Sequence, residues 1–120
     1  MRVLIVESNS QLAQIWQSAI ARRGAEVTLV ASQRAAIRAI QVQHFDVIVM
    51  NLIIGDGSAF AVADFAAYRL PDTKVIFATD TTFFSDGSIF RHIPNVCAFV
   101  ETSLPADDLC AMVDHFGAGH

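Results

Sequence analysis

The chain has 120 residues, of which 53% are hydrophobic and 17% charged, and its formal net charge is −4. That length fits one compact domain with no room for a second, and the apolar surplus over ordinary soluble proteins suits a dense core and one sticky face. The negative balance with no basic block argues against nucleic acid or an anionic membrane surface as partner, and the longest apolar runs are strand-length pieces too short to span a bilayer.

The run from residue 2 to residue 6, Arg-Val-Leu-Ile-Val, is nearly all apolar, the pattern of a strand buried on both faces. It lacks the length and the small-residue cleavage site of a signal peptide. Asn9 or Ser10 then caps a helix with Leu12, Ile15, Trp16, Ala19 and Ile20 on its inward face. Arg22 and Arg23 suit the last turn, and Gly24 supplies the stop. Residues 27–30 form a second strand. Ser32 caps a second helix that turns Ala36, Ile37 and Ile40 inward. The third strand occupies residues 45–50 and runs out through Asn51 into a turn containing Gly55, Asp56 and Gly57.

A third helix is expected over residues 58–69, stopping before Pro71. Residues 75–78 give a fourth strand, and a short helix is expected around residues 85–92. Residues 96–100 make the fifth strand. Pro105 opens a last helix with Asp107 and Asp108 in its first turn, where the helix dipole favours carboxylates. Leu109, Met112, Val113 and Phe116 form its buried stripe. Five β-α units in strict alternation imply an α/β domain with a parallel sheet, helices on both faces and right-handed crossovers.

In this order and spacing the chain resembles the response-regulator receiver domain of bacterial two-component (phosphorelay) signalling, from residue 2 to about residue 116. The resemblance is carried by Val3, Leu4, Ile5, Val6 and Glu7 in the first strand, by residues 45–50 in the third, and by Asp56, Gly57 and Ser58 after it. Residues 75–79 of the fourth strand and Ala98, Phe99 and Val100 of the fifth complete it. It implies a doubly wound, flavodoxin-like five-stranded parallel sheet of order 2-1-3-4-5, with the site at the carboxyl ends of the first and third strands.

The working residues of that family carry over only in part. Its acidic pair reads Glu7-Ser8, its phosphoacceptor aspartate is Asn51, and the Lys-Pro pair after the fifth strand is Thr102-Ser103. The hydroxyl of the fourth strand is kept as Thr79 and the switch aromatic as Phe99. Aspartyl phosphorylation needs a carboxylate nucleophile, Mg²⁺ to spread charge and a cation to hold the phosphoryl oxygens. An amide nitrogen whose lone pair is delocalised into its carbonyl is no nucleophile. With Ser8 and Asn51 in the ligand positions, only Glu7 is left charged among the family's acids, and Lys74, the only lysine, lies at the other end of the fourth strand.

The expectation is therefore a pseudo-receiver with a degenerate phosphoacceptor site (Glu7, Ser8, Asn51, Thr79 and Thr102), without catalytic residues, cofactor or metal. Such a domain acts by binding a signalling protein (a histidine kinase, phosphotransfer or output protein) or a second copy of itself. The expected contact face is built from the fourth helix, fifth strand and fifth helix, with Phe99, Phe83 and Phe84 on it. Two adjacent aromatics cannot easily both point inward, so at least one of Phe83 and Phe84 is read as a contact residue. The rival reading is a small-ligand binder or enzyme reusing the neutral hydrogen-bonding groups of Ser8, Asn51, Thr79 and Thr102.

Other candidates read more simply. His44, His92, His115 and His120 show no metal spacing. Cys97 and Cys110 are too few for a disulfide framework, are read as buried thiols, and suit a reducing cytoplasm. Gly55 and Gly57 begin a dinucleotide fingerprint but lack its third glycine, and the first strand-to-helix turn holds no glycine.

Overall fold

The computed structural model describes residues 1–80 and 93–118. Strand β1 (Arg2–Val6) leads to helix α1 (Ser10–Arg22), β2 (Glu26–Val30), α2 (Gln33–Val42), β3 (Val47–Asn51) and α3 (Ala59–Arg69). Then follow β4 (Lys74–Thr79), β5 (Val96–Glu101) and α4 (Ala106–Gly117). The helix expected around residues 85–92 lies outside the described residues, as do Phe83 and Phe84, so α4 is the last helix of the sequence pattern. All strands pair in parallel, in the order β2-β1-β3-β4-β5.

Residues 3–6 of β1, 47–50 of β3 and 75–79 of β4 are buried, as strands covered on both faces must be. Their side chains feed two apolar clusters. Leu4, Ile48, Met50 and Phe77 pack under α2 and α3 on one face, and Val3, Ile5, Val49 and Ile76 pack under α1 and α4 on the other. Phe77 meets Phe60 of α3 edge to face, with ring centroids 5.5 Å apart.

Caps set the helix starts. Asn9 Oδ1 accepts from the backbone N–H of Gln11 and Leu12, Ser32 Oγ from Ala35, and Ser58 Oγ from Ala61. Gly24 ends α1 at φ +94°, in the left-handed region, and its N–H returns to Ala21 O at 2.9 Å. One expectation for α1 is corrected. Ile15 is 56% exposed, while Ala13 is buried beside Trp16 and Ile20. Residues 13, 16 and 20 share one face at 100° per residue, and residue 15 falls about 130° from the middle of that stripe, on the solvent side. Among the described residues, no helix is long and apolar enough to cross a membrane.

Candidate functional site at the carboxyl ends of the strands

Register brings the predicted residues together. Val6 pairs with Met50, so Glu7 and Asn51, one step further on, lie side by side. Asn51 pairs with Ala78 and Thr79 with Glu101, which puts Asp80 and Thr102 at the same end. The backbone N–H of Thr102 donates to Thr79 O at 2.8 Å, and that of Leu52 to Ala78 O at 2.7 Å. A cleft of about 270 Å³ opens there, lined by Glu7, Ser8, Asn9, Leu12, Asn51, Ile53, Asp80 and Thr102.

Four of the five predicted site residues, Glu7, Ser8, Asn51 and Thr102, thus share one cleft. Thr79 is fully buried at the end of β4 and does not line it. Phe99, on edge strand β5, is half-buried and packs against the cluster under α2 and α3. Lys74 begins β4 opposite Val47, at the amino end of the sheet, and cannot stand in for the missing cation. Asp80 is a lining residue that sequence reasoning missed, and it gives the cleft a second carboxylate beside Glu7. The available signal was position alone: the residue after a central parallel strand stands at the same end of the sheet as the site.

The centre of the cleft is a closed hydrogen-bond relay. Glu7 is only 3% exposed, and Asn51 donates from Nδ2 to its Oε2 at 2.7 Å. The backbone N–H of Asn9, at the start of α1, donates to Glu7 Oε1 at 2.9 Å. Asn51 Oδ1 in turn accepts from the backbone N–H of Ile53 at 2.9 Å. The amide orientation follows from the chemistry of its neighbours, because a flipped amide would put oxygen against carboxylate and N–H against N–H. Glu7 is therefore compensated by the helix N-terminus and by Asn51.

A divalent cation of the kind the family resemblance implies needs several oxygen lone pairs turned towards one point. Both Glu7 oxygens here face N–H donors, and Asn51 presents its nitrogen to Glu7 while its oxygen turns to the β3–α3 loop. Among the described residues, no three His, Cys, Asp or Glu side chains are grouped to hold a metal ion. The donor set does not fit Mg²⁺.

The loop after Asn51 is latched to α2. Gln33 N–H donates to Asp56 Oδ1 at 3.2 Å, and Ser58 N–H donates to Gln33 Oε1 at 2.7 Å. Gly57 sits between them at φ +80°, and a Cβ there would lie 1.7 Å from Gln33 Oε1. Glycine at this position is required both by the left-handed backbone and by the close approach of Gln33.

No protein-family model matches the sequence, and no curated protein matches it. Solved structures do match, over nearly the whole chain. The signal receiver domain of a protein described as a Luxo repressor, from Vibrio parahaemolyticus, is 25% identical with a TM-score of 0.85, over 98% of this chain and 89% of that one. A CheY-like response regulator receiver domain protein from Methanospirillum hungatei is 18% identical with a TM-score of 0.88, over 98% and 93%. The response regulator protein TrrA from Thermotoga maritima, solved in complex with Mg²⁺-BeF, is 16% identical with a TM-score of 0.84, over 96% and 97%. The fold is that of response-regulator receiver domains.

Proposed function

We propose that this receiver-like domain is a pseudo-receiver, a signalling module that works by binding another protein and does not accept phosphate at its cleft. The observation that carries this reading is the Asn51 amide held against Glu7 Oε2 at 2.7 Å. Where phosphoryl transfer needs an attacking carboxylate, this chain has an amide whose nitrogen is not nucleophilic and is already spent on a hydrogen bond. Among the described residues, the cleft lining contains two carboxylates and no cationic side chain, so none of them offsets the charge of an incoming phosphoryl group. Ser8 and Thr102 are neutral, and the cleft formed by the described residues, about 270 Å³, lies at the small end for ligand pockets.

The partner is a signalling protein: a histidine kinase, a phosphotransfer protein or an output protein. Phe99 and helix α4 are the described part of the face expected to receive it. With Cys97 and Cys110 both free thiols, the protein is read as working in the cytoplasm. The direct test is incubation with a small-molecule phosphodonor and Mg²⁺ followed by intact-mass measurement. The expected outcome is no adduct, for the natural chain and for Asn51→Asp alone. A stable phosphoryl adduct that disappears on Glu7→Gln or Asp80→Asn would overturn the reading.

A further inference from the structure

Helices α2 and α3 lie side by side on one face of the sheet and share one apolar cluster beneath them. Their outward rows differ in charge. The α2 row presents Arg34 and Arg38 along an open groove that the half-buried Ile37 also lines, and the α3 row presents Asp64 and Tyr68 along another. Among the described residues, neither Arg34 nor Arg38 forms an ion pair, and neither does Asp64. Two large apolar side chains are left in solvent where these helices end, Val42 at 76% and Tyr68 at 86% exposure. The basic and acidic rows would suit each other, but on one chain both point outward and cannot meet.

In a second copy they can meet. A two-fold axis parallel to the helices, above the groove between them, lays α2 of one copy on α3 of the other and preserves height along the helix. Both helices end five residues before strands whose starts pair, Val47 with Lys74, and Arg69 Nη2 reaches across to Gln41 O at 3.1 Å, so the two helix ends lie close together near one level. Arg38, four residues before the end of α2, is then near the level of residue 65, four before the end of α3. Asp64 and Tyr68 lie one and three residues from that level, about 1.5 and 4.5 Å at the helical rise. An arginine is long enough to reach both, pairing with the carboxylate and lying over the ring. The symmetry repeats the contact, so the association closes at two copies.

We propose that the outward face of α2 and α3 is a self-complementary docking surface on which two copies form a dimer, Arg38 of each against Asp64 and Tyr68 of the other. This does not depend on whether the cleft accepts phosphate, since the surface lies on the helical flank and the cleft at the strand ends. The test is sedimentation velocity of the intact 120-residue chain across a concentration series at low and high salt. The expected result is a reversible monomer–dimer equilibrium that shifts towards monomer as salt screens the pairs. Arg38→Asp and Asp64→Arg should each weaken it by about tenfold or more, and the two together should restore it to within about threefold. Tyr68→Ala should weaken it without a change in salt dependence. A chain that stays monomeric to about 1 mM overturns the proposal. So does a dimer indifferent to both single charge reversals, or one that the double reversal fails to restore.

Discussion

The first four residues of β3, Val47, Ile48, Val49 and Met50, are fully buried, whereas its fifth, Asn51, meets the cleft. The body of the strand is held by apolar contact on both faces of the sheet. Its end is held by one amide between a carboxylate and a backbone N–H. Many sequences satisfy the first requirement, because burial is non-directional and any apolar residue of about the right size serves. The second is directional and depends on which atom is a donor. The same fold can therefore be kept while the chemistry at its mouth is replaced.

If the body and the end are separable in this way, their substitutions should differ in size and in kind. Phe77→Ala, in the body of β4, removes a fully buried ring and its edge contact with Phe60. A loss of about 3–5 kcal/mol is expected, read from the urea midpoint at constant slope. Ser8→Ala, at the exposed rim of the cleft, should stay within about 0.5 kcal/mol. Comparable losses at the two positions would dissolve the distinction between body and end.

Asn51→Asp sharpens it with almost no change in volume. The substitution places a carboxylate oxygen where Nδ2 now donates to Glu7 at 2.7 Å, so attraction becomes repulsion. A loss of about 1–3 kcal/mol is expected in metal-free buffer. The sign with pH follows from the like charges. They raise the carboxyl pKa values of the folded variant, so its folded state holds a proton that the unfolded chain releases. The deficit against the natural chain should then be small well below about pH 4 and grow as the pH rises through the raised values. Denaturation of both proteins at acidic and neutral pH checks this. A variant as stable as the natural chain at neutral pH would mean the relay contributes nothing to the fold.

The same contrast explains what the sequence could and could not disclose. Every described strand was legible because a parallel strand in this alternation needs only a short apolar run, and these runs are set off by turn and cap residues such as Asn, Ser, Gly, Pro and Asp. The caps Asn9 and Ser32 were legible because their roles are local, whereas Ser58 was placed only as the start of its helix and its capping role came from the structure. Asn51 could be placed from the family resemblance, but the bond it makes could not. That bond depends on the register of β1 against β3, a contact across 44 residues of chain. Asp80 went unread because its reach into the cleft depends on where β4 stops relative to β5. The Gln33 latch on the Asp56, Gly57 and Ser58 turn was hidden for the same reason, since nothing local links a helix start to a loop 23 residues away. Ile15 was misread because a helix with apolar residues on several sides does not declare which one the sheet will cover.

The smallest expected effect lies at the margin of the body, on edge strand β5. Cys97 is half-buried, and its thiol lies 3.5 Å from Val75 O, near enough to donate a weak hydrogen bond. Burial pushes its pKa up to about 11 from 9.0, against a smaller opposing pull from Lys74. The folded state therefore keeps a proton that the unfolded chain releases. The contribution of this thiol is fully present below about pH 9 and is lost as pH rises towards about 11. Other groups titrate in the same window, so the informative quantity is the difference between the natural chain and Cys97→Ala. That difference should shrink or reverse between pH 8 and about pH 11 as the ionising thiol weakens the natural fold and leaves the alanine variant untouched. A difference that stays constant across the window would mean that the edge strand is as wet as the cleft, and the boundary between the two regions would move inward to β4.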